Sequence, residues 1–188
     1  DKQLDEGIDQ AQREAGTAFG VSDVFLEKFI QRARHIEVQL LGDHHGGLLH
    51  FFERDCSLQR RHQKVVEIAP APGLDDAVRA RLFDDAVALA AAAGYVNAGT
   101  VEFLVVPETG EHFFIECNTR IQVEHTVTEQ VTGVDLVEAQ FRIAGGASLV
   151  DLGLTDQQAI APRGHAVQAR VVATGAGARL VMGFDHLI

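Results

Sequence analysis

Cysteine is scarce in this chain, with Cys56 and Cys117 the only two among 188 residues. They permit at most one bridge, so no disulfide framework organises the fold, and the pair suits a reducing cytoplasm. Neither has a Cys or His partner at zinc spacing. Long apolar runs are also missing. Nothing approaches the roughly 18–20 residues of a transmembrane helix, and no basic, apolar, small-residue signal peptide is present. Positive charge is in deficit: 16 Lys and Arg against 27 Asp and Glu give a formal net charge of −11. That balance argues against nonspecific nucleic-acid binding. No Gly-x-x-x-x-Gly-Lys-Ser/Thr loop occurs, which excludes a P-loop nucleotide site within the chain. What is present is an ordinary globular composition, 46% hydrophobic with a mean hydropathy of +0.03. The chain opens on Asp1, inside a helical pattern, and reads as a piece of something larger.

Periodicity divides the chain into elements. Leu4, Ile8, Ala11, Ala15 and Phe19 recur at helical spacing up to Gly20, predicting a helix over 3–19. Val24 to Ile30 is short, apolar and β-prone, with Glu27 and Lys28 embedded in it. From His35 the chain alternates: Ile36, Val38 and Leu40 on one face, His35, Glu37 and Gln39 on the other. Asp43 to Gly47 is a turn, and Leu48 to Glu53 returns as the second strand of a hairpin. His44 and His45 sit side by side on that turn, converge poorly on a metal, and read as solvated loop.

Residues 54–64 form a dense polar cluster before the apolar run Val65 to Ile68, which Pro70, Pro72 and Gly73 close. Leu74 to Ala93 predicts an Ala-rich helix with Asp75 and Asp76 in its first turn and Gly94 at its end. Val101–Val106 and Phe113–Asn118 are two strands joined by a turn at Pro107–Gly110. A helical stretch from about Thr126 to Ala144 contains a potential break at Gly133, and His165 to Val172 alternates as a strand. Hairpins with flanking helices make this an α+β protein with a mostly antiparallel sheet.

The run Glu116-Cys-Asn-Thr-Arg-Ile-Gln-Val-Glu-His125 is the most informative segment. On an extended strand, Glu116, Asn118, Arg120, Gln122 and Glu124 share one face, while Cys117, Ile121 and Val123 point away. Unpaired buried charge costs several kcal/mol, so such a face implies a polar, charged occupant. A metal with an anion fits: carboxylates and an amide oxygen for Mg²⁺, a guanidinium for the anion. Glu102 lies on the preceding strand, where a hairpin brings it beside Glu116, and a cation between them relieves the repulsion. The plain alternative is a surface Glu102 paired with a basic residue. Gln59, Arg60, Arg61, His62, Gln63 and Lys64 offer cations and amides to phosphate or a small anion, or else form a solvated loop. Glu124 beside an anion-binding Arg120 has the makings of a general base. Arg170, on the late strand, taken alone reads as a surface arginine.

Together, FLEKFIQRARHIEVQLLGD, ERDCSLQRRHQKVVEIAPAPG, NAGTVEFL, FFIECNTRIQVEHTVTEQVTGVDLV and RGHAVQAR resemble biotin carboxylase, the ATP-grasp component of biotin-dependent carboxylases. The resemblance runs from about residue 3 to 171, and its Thr126–Glu129 run looks most like the acyl-CoA and pyruvate carboxylase branches. It implies an ATP-grasp fold, with 1–30 as the end of the lid subdomain, 31–175 as the main ATP-binding domain and 176–188 as a divergent tail. Glu27, Lys28 and Leu104 would lie around the adenine, with His35, Gln59 and His62 nearer the ribose and phosphates. Glu102, Glu116 and Asn118 would hold Mg²⁺ or Mn²⁺. Lys64, Arg120, Gln122 and Val123 would bind bicarbonate, and Glu124 would deprotonate it for attack on the γ-phosphate of ATP. The carboxyphosphate so formed would yield CO₂ for biotin, whose enolate Arg170 would stabilise. A biotin carboxyl carrier domain, a carboxyltransferase and a homodimeric enzyme are the implied partners. Two other readings stay open: a carbamoyl-phosphate synthetase-like ligase, and an inert binding or assembly module.

Overall fold

The computed structural model describes residues 2–171 and 186–187. It contains two compact units, Asp1–Gln31 and Arg32–Ile188. The first consists of helix α1 (Lys2–Phe19) and a stretch without regular structure up to Ile30. The β-prone Val24–Ile30 run is therefore not a strand, and α1 buries none of its residues within the chain. A lone apolar run has no ladder partner here, so propensity by itself leaves it irregular.

The second unit is built on a sheet of order β5-β4-β1-β2-β3-β6-β7. Its strands are β1 (Arg34–Gly42), β2 (Leu48–Arg60), β3 (Gln63–Ala69), β4 (Asn97–Val105), β5 (His112–Asn118), β6 (Ala166–Ala169) and β7 (His186–Leu187). Every pairing between them is antiparallel. β2 runs past the expected Glu53 and takes the polar cluster into the sheet, turning at Arg61 and His62. Both residues have positive φ, as a two-residue type I′ hairpin turn requires. The tail 176–188 lies outside the described residues apart from β7. No helix among the described residues is long and apolar enough to cross a membrane.

The alternation in β1 decides what covers each face. Ile36, Val38 and Leu40 join Val101, Phe103 and Val105 of β4 under helix α2 (Asp76–Ala92), which contributes Val78, Leu82, Phe83, Ala86 and Ala90. Asp75 caps α2 by accepting from the backbone N–H groups of Ala77 and Val78. Leu41 faces the other way, into a core with Phe51, Ala98 and helix α4 (Leu136–Ala144). Helix α3 (His125–Thr132) packs Val127 and Val131 against Ala69 and Ala166. The single helical stretch expected over 126–144 is two helices, because Gly133 takes φ 72° and ends α3 in a left-handed cap.

Register aligns charged residues across the sheet on the face opposite α2. Arg54 of β2 pairs with Glu37 of β1, Glu37 with Glu102 of β4, and Glu102 with Glu116 of β5. The last pairing needs a bulge: Phe103 opposes Phe114 but Glu102 opposes Glu116, leaving Ile115 over.

Candidate active site

Beside this charged row lies a cavity of about 340 Å³. It is lined by His35, Gln59, His62, Gln63, Lys64, Glu102, Glu116, Asn118, Arg120, Gln122, Val123, Glu124 and Arg170. The family resemblance assigned roles to all of these but Gln63, and they come from strands β1 to β5, the β2–β3 turn, the loop after β5 and the residue that follows β6. Leu104 does not line the cavity; it sits on β4 opposite His35. Glu27 and Lys28 belong to the first unit, in its irregular segment.

The 116–125 run is not the extended strand that its alternation predicts. β5 stops at Asn118, residues 119–122 have no regular structure, and the chain turns through Val123 and Glu124 into α3. The backbone N–H of His125 donates to the carbonyl of Gln122 at 3.2 Å, closing that turn. All five polar side chains still reach one cavity, and so does Val123, because a curled loop can point successive residues inward where a strand cannot.

Lys64 is the centre of the charge arrangement. Its ammonium donates to Glu37, to Glu102 at 2.7 Å and to Glu124 at 2.8 Å, which uses all three of its N–H groups. Burial pushes the ammonium towards neutrality, but these carboxylates win and raise its pKa. Glu102 also accepts from the amides of Asn118 and Gln122, both at 2.9 Å, and meets His35 Nε2 at 2.5 Å. Gln59 approaches the other ring nitrogen of His35 at 2.8 Å, an arrangement that leaves Nε2 as the proton donor to Glu102. Burial opposes ionisation of Glu102, yet hydrogen bonds from His35 and Lys64 hold its carboxyl well below the usual range.

Glu124 is buried and lies between Lys64 and Arg170, the latter at 3.3 Å. Desolvation raises its pKa, but the Lys64 hydrogen bond and charge outweigh it, so the group stays ionised. Arg170 also faces Glu67 at 3.6 Å. Glu67 is fully buried, with no hydrogen-bond partner on either carboxylate oxygen. Burial and the nearby charge of Glu124 push it up to about 7. Arg170 is thus held between two carboxylates rather than free at the surface.

The Glu102 and Glu116 oxygens converge on the Asn118 amide nitrogen, at 2.9 and 3.0 Å. Arg120 is exposed and donates to Asn118 Oδ1 at 3.3 Å. The carboxylate pairs therefore sit close together in two ways, one cluster neutralised by Lys64 and the other open to the cavity. Reading the sequence missed Glu37 and Arg54. The only signal was the polar face His35-Glu37-Gln39, buried from Ile36 onward although it alternates like a solvated one.

Comparison with known proteins fits this geometry. Residues 1–152 match the family described as carbamoyl-phosphate synthase L chain, ATP binding domain. Pyruvate carboxylase 1 of Caenorhabditis elegans is 59% identical over 170 residues, covering 90% of this chain and 14% of that protein. A Campylobacter jejuni biotin carboxylase, solved as a β,γ-ATP complex, superposes with a TM-score of 0.82 at 46% identity. That match covers 92% of this chain and 37% of the other. Rhizobium etli pyruvate carboxylase, solved as its T882A variant with acetyl coenzyme A, gives 0.81 at 53% identity, over 88% and 15% of the two chains. The sheet is thus the ATP-grasp sheet of these biotin carboxylases, and the chain spans about 14% of the length of the curated relatives it matches. The chain belongs to the family of carbamoyl-phosphate synthase L chain ATP-binding domains, on its biotin-dependent carboxylase side.

Proposed function

We propose that this chain carries the bicarbonate-activating part of a biotin carboxylase, working with ATP and a divalent cation within a longer enzyme. The observation that carries the proposal is Glu124, a buried carboxylate kept ionised between Lys64 and Arg170 at the wall of a polar cavity. A buried anion between two cations can take a proton from a weak acid while the cations stabilise the charge left behind. Arg120, Gln122 and the backbone about Val123 supply donors for the bicarbonate oxygens. Lys64 would reach bicarbonate by exchanging one of its three carboxylate contacts for the new anion. Arg170, already beside Glu124, is placed to meet negative charge developing on the biotin ureido oxygen.

The donor set fits a hard cation. Glu102 and Glu116 bring two carboxylates together about the Asn118 amide, whose nitrogen faces both; turned over, that amide would add its oxygen and complete the ligand chemistry of Mg²⁺ or Mn²⁺. Bound there, the ion would neutralise phosphate charge. His35, Gln59 and His62 then belong to the nucleotide side with Leu104, and Glu27 and Lys28 come from the end of the lid, residues 1–30. The carrier domain, the carboxyltransferase and the homodimer are partners of the longer enzyme, in a cytoplasm suited to two unpaired thiols. Pyruvate carboxylase is the branch favoured by the 59% identity. That identity also ranks the biotin-dependent reading ahead of the carbamoyl-phosphate synthetase-like one.

A chimera tests the reading, with this chain replacing the matching stretch of the Campylobacter jejuni biotin carboxylase. Bicarbonate-dependent ADP release is expected from the chimera. Glu124→Gln should abolish that release and leave nucleotide binding intact. Undiminished turnover in Glu124→Gln would remove Glu124 as the base, and ADP release requiring ammonia would replace the reading altogether.

A further inference from the structure

Arg54 does not line the cavity, and it is the largest fully buried side chain among the described residues. A guanidinium has five N–H groups, and each finds an acceptor. Nε donates to Glu37. Nη1 serves Gln39 Oε1 at 2.8 Å and Thr128 Oγ1 at 3.0 Å. Nη2 serves Thr100 Oγ1 and Gln122 Oε1, both at 3.3 Å. These acceptors lie on β1, β4, α3 and the loop after β5, so one side chain ties the loop to the sheet.

We propose that Arg54 is a positioning residue that fixes the sense of the Gln122 amide, so that this loop offers the cavity an N–H donor and accepts an oxyanion. That the oxyanion is bicarbonate rests on the function proposed above; the orientation itself does not. Gln122 stands between a cation and an anion. Its oxygen faces Arg54, and its nitrogen donates to Glu102 at 2.9 Å. The reversed amide would set NH₂ against a guanidinium and C=O against a carboxylate, two repulsive contacts in a water-poor site. One hydrogen of Nε2 is committed to Glu102, and the second is left for the cavity. A glutamine without Arg54 could present either end, and its carbonyl would repel an anion. The positive charge of Arg54 also helps keep Glu124 ionised.

The test uses the 188-residue chain with ¹⁵N-labelled glutamine. In the wild type, the Gln122 side-chain amide should give one set of signals whose solvent exchange is slowed at least about tenfold relative to exposed Gln10. Arg54→Lys, which keeps the charge but cannot span five acceptors, should bring the Gln122 signals to the Gln10 rate. Made in the chimera with the Campylobacter jejuni biotin carboxylase, the same substitution should weaken [¹³C]bicarbonate binding, measured with Mg²⁺-ATP present, by about tenfold or more. Thr128→Val removes an acceptor of Nη1 only, and should leave the Gln122 signals as they are.

An amide that stays locked in Arg54→Lys would overturn the proposal, as would unlocking with unchanged bicarbonate binding. Should Arg54→Lys fail to fold, the wild type still decides: a Gln122 amide exchanging as fast as Gln10 overturns the proposal. A locked amide in a wild type whose chimera with the Campylobacter jejuni enzyme binds no bicarbonate sustains the role of Arg54 and sinks the carboxylase reading.

Discussion

Lys64 and Glu67 show the two ways this protein handles charge away from water. Lys64 compensates three carboxylates at once, so its loss would leave Glu37, Glu102 and Glu124 crowded without their shared cation. Removing one partner of a buried ionic group costs about 3–5 kcal/mol, and Lys64→Met is expected to lose that much in urea unfolding. A loss below about 1 kcal/mol would show that water already screens the carboxylates. Glu67 has only the more distant Arg170, at 3.6 Å and shared with Glu124, so burial wins and its pKa rises from 4.5 to about 7. Its folded form binds a proton more tightly than the unfolded chain does. The stability it contributes is therefore complete below pH 4.5 and lost as pH climbs to about 7. His50 behaves in the opposite sense. It is stacked on Phe83 with ring centroids 4.0 Å apart, and burial lowers its pKa to about 4. Its contribution is complete above 6.5 and lost as pH falls towards about 4. Melting temperatures across this range should therefore flatten on the alkaline side in Glu67→Gln and on the acid side in His50→Phe. Unchanged profiles in both variants would place the charge elsewhere.

Elements whose side chains follow one period were legible before any coordinates. The Ile36-Val38-Leu40 face of β1 meets α2 as its alternation requires, and the turn at Pro107–Gly110 sets Glu102 opposite Glu116. The loop after β5 was not legible. Its alternating polar residues mimic a strand, but the chain has no further ladder partner there and must turn down to start α3. Arg54 was equally hidden. An arginine between Glu53 and Asp55 reads as solvated until register places Glu37 opposite it and α3 over it. Capping, by contrast, is a purely local signal. Asp75 satisfies two backbone N–H groups of α2, and Asp75→Ala should cost about 1 kcal/mol. A shifted urea midpoint with an unchanged slope would show that the substitution lowers stability without altering the surface exposed on unfolding, and an unshifted midpoint would remove the cap's contribution.

At the scale of the whole molecule, the chain covers 14% of the pyruvate carboxylases it matches and 37% of a biotin carboxylase. Tight nucleotide binding depends on groups gathered from several parts of a site. The 188-residue chain is accordingly expected to bind Mg²⁺-ATP weakly and not to turn it over. Calorimetry checks the first expectation and ADP release the second, and free biotin carboxylated by this chain alone would contradict both. The row Arg54–Glu37–Glu102–Glu116 also sets what variation can reach. Each member occupies a different strand, so the steps along the row are interstrand spacings of about 4.8 Å. Those spacings are fixed by backbone hydrogen bonds, whatever the side chains. Substitution can change which atom stands at each station, but the spacing between stations, that between the carboxylates Glu102 and Glu116 included, comes in whole strands. A relative that needed a longer reach would have to gain a strand or lose the row.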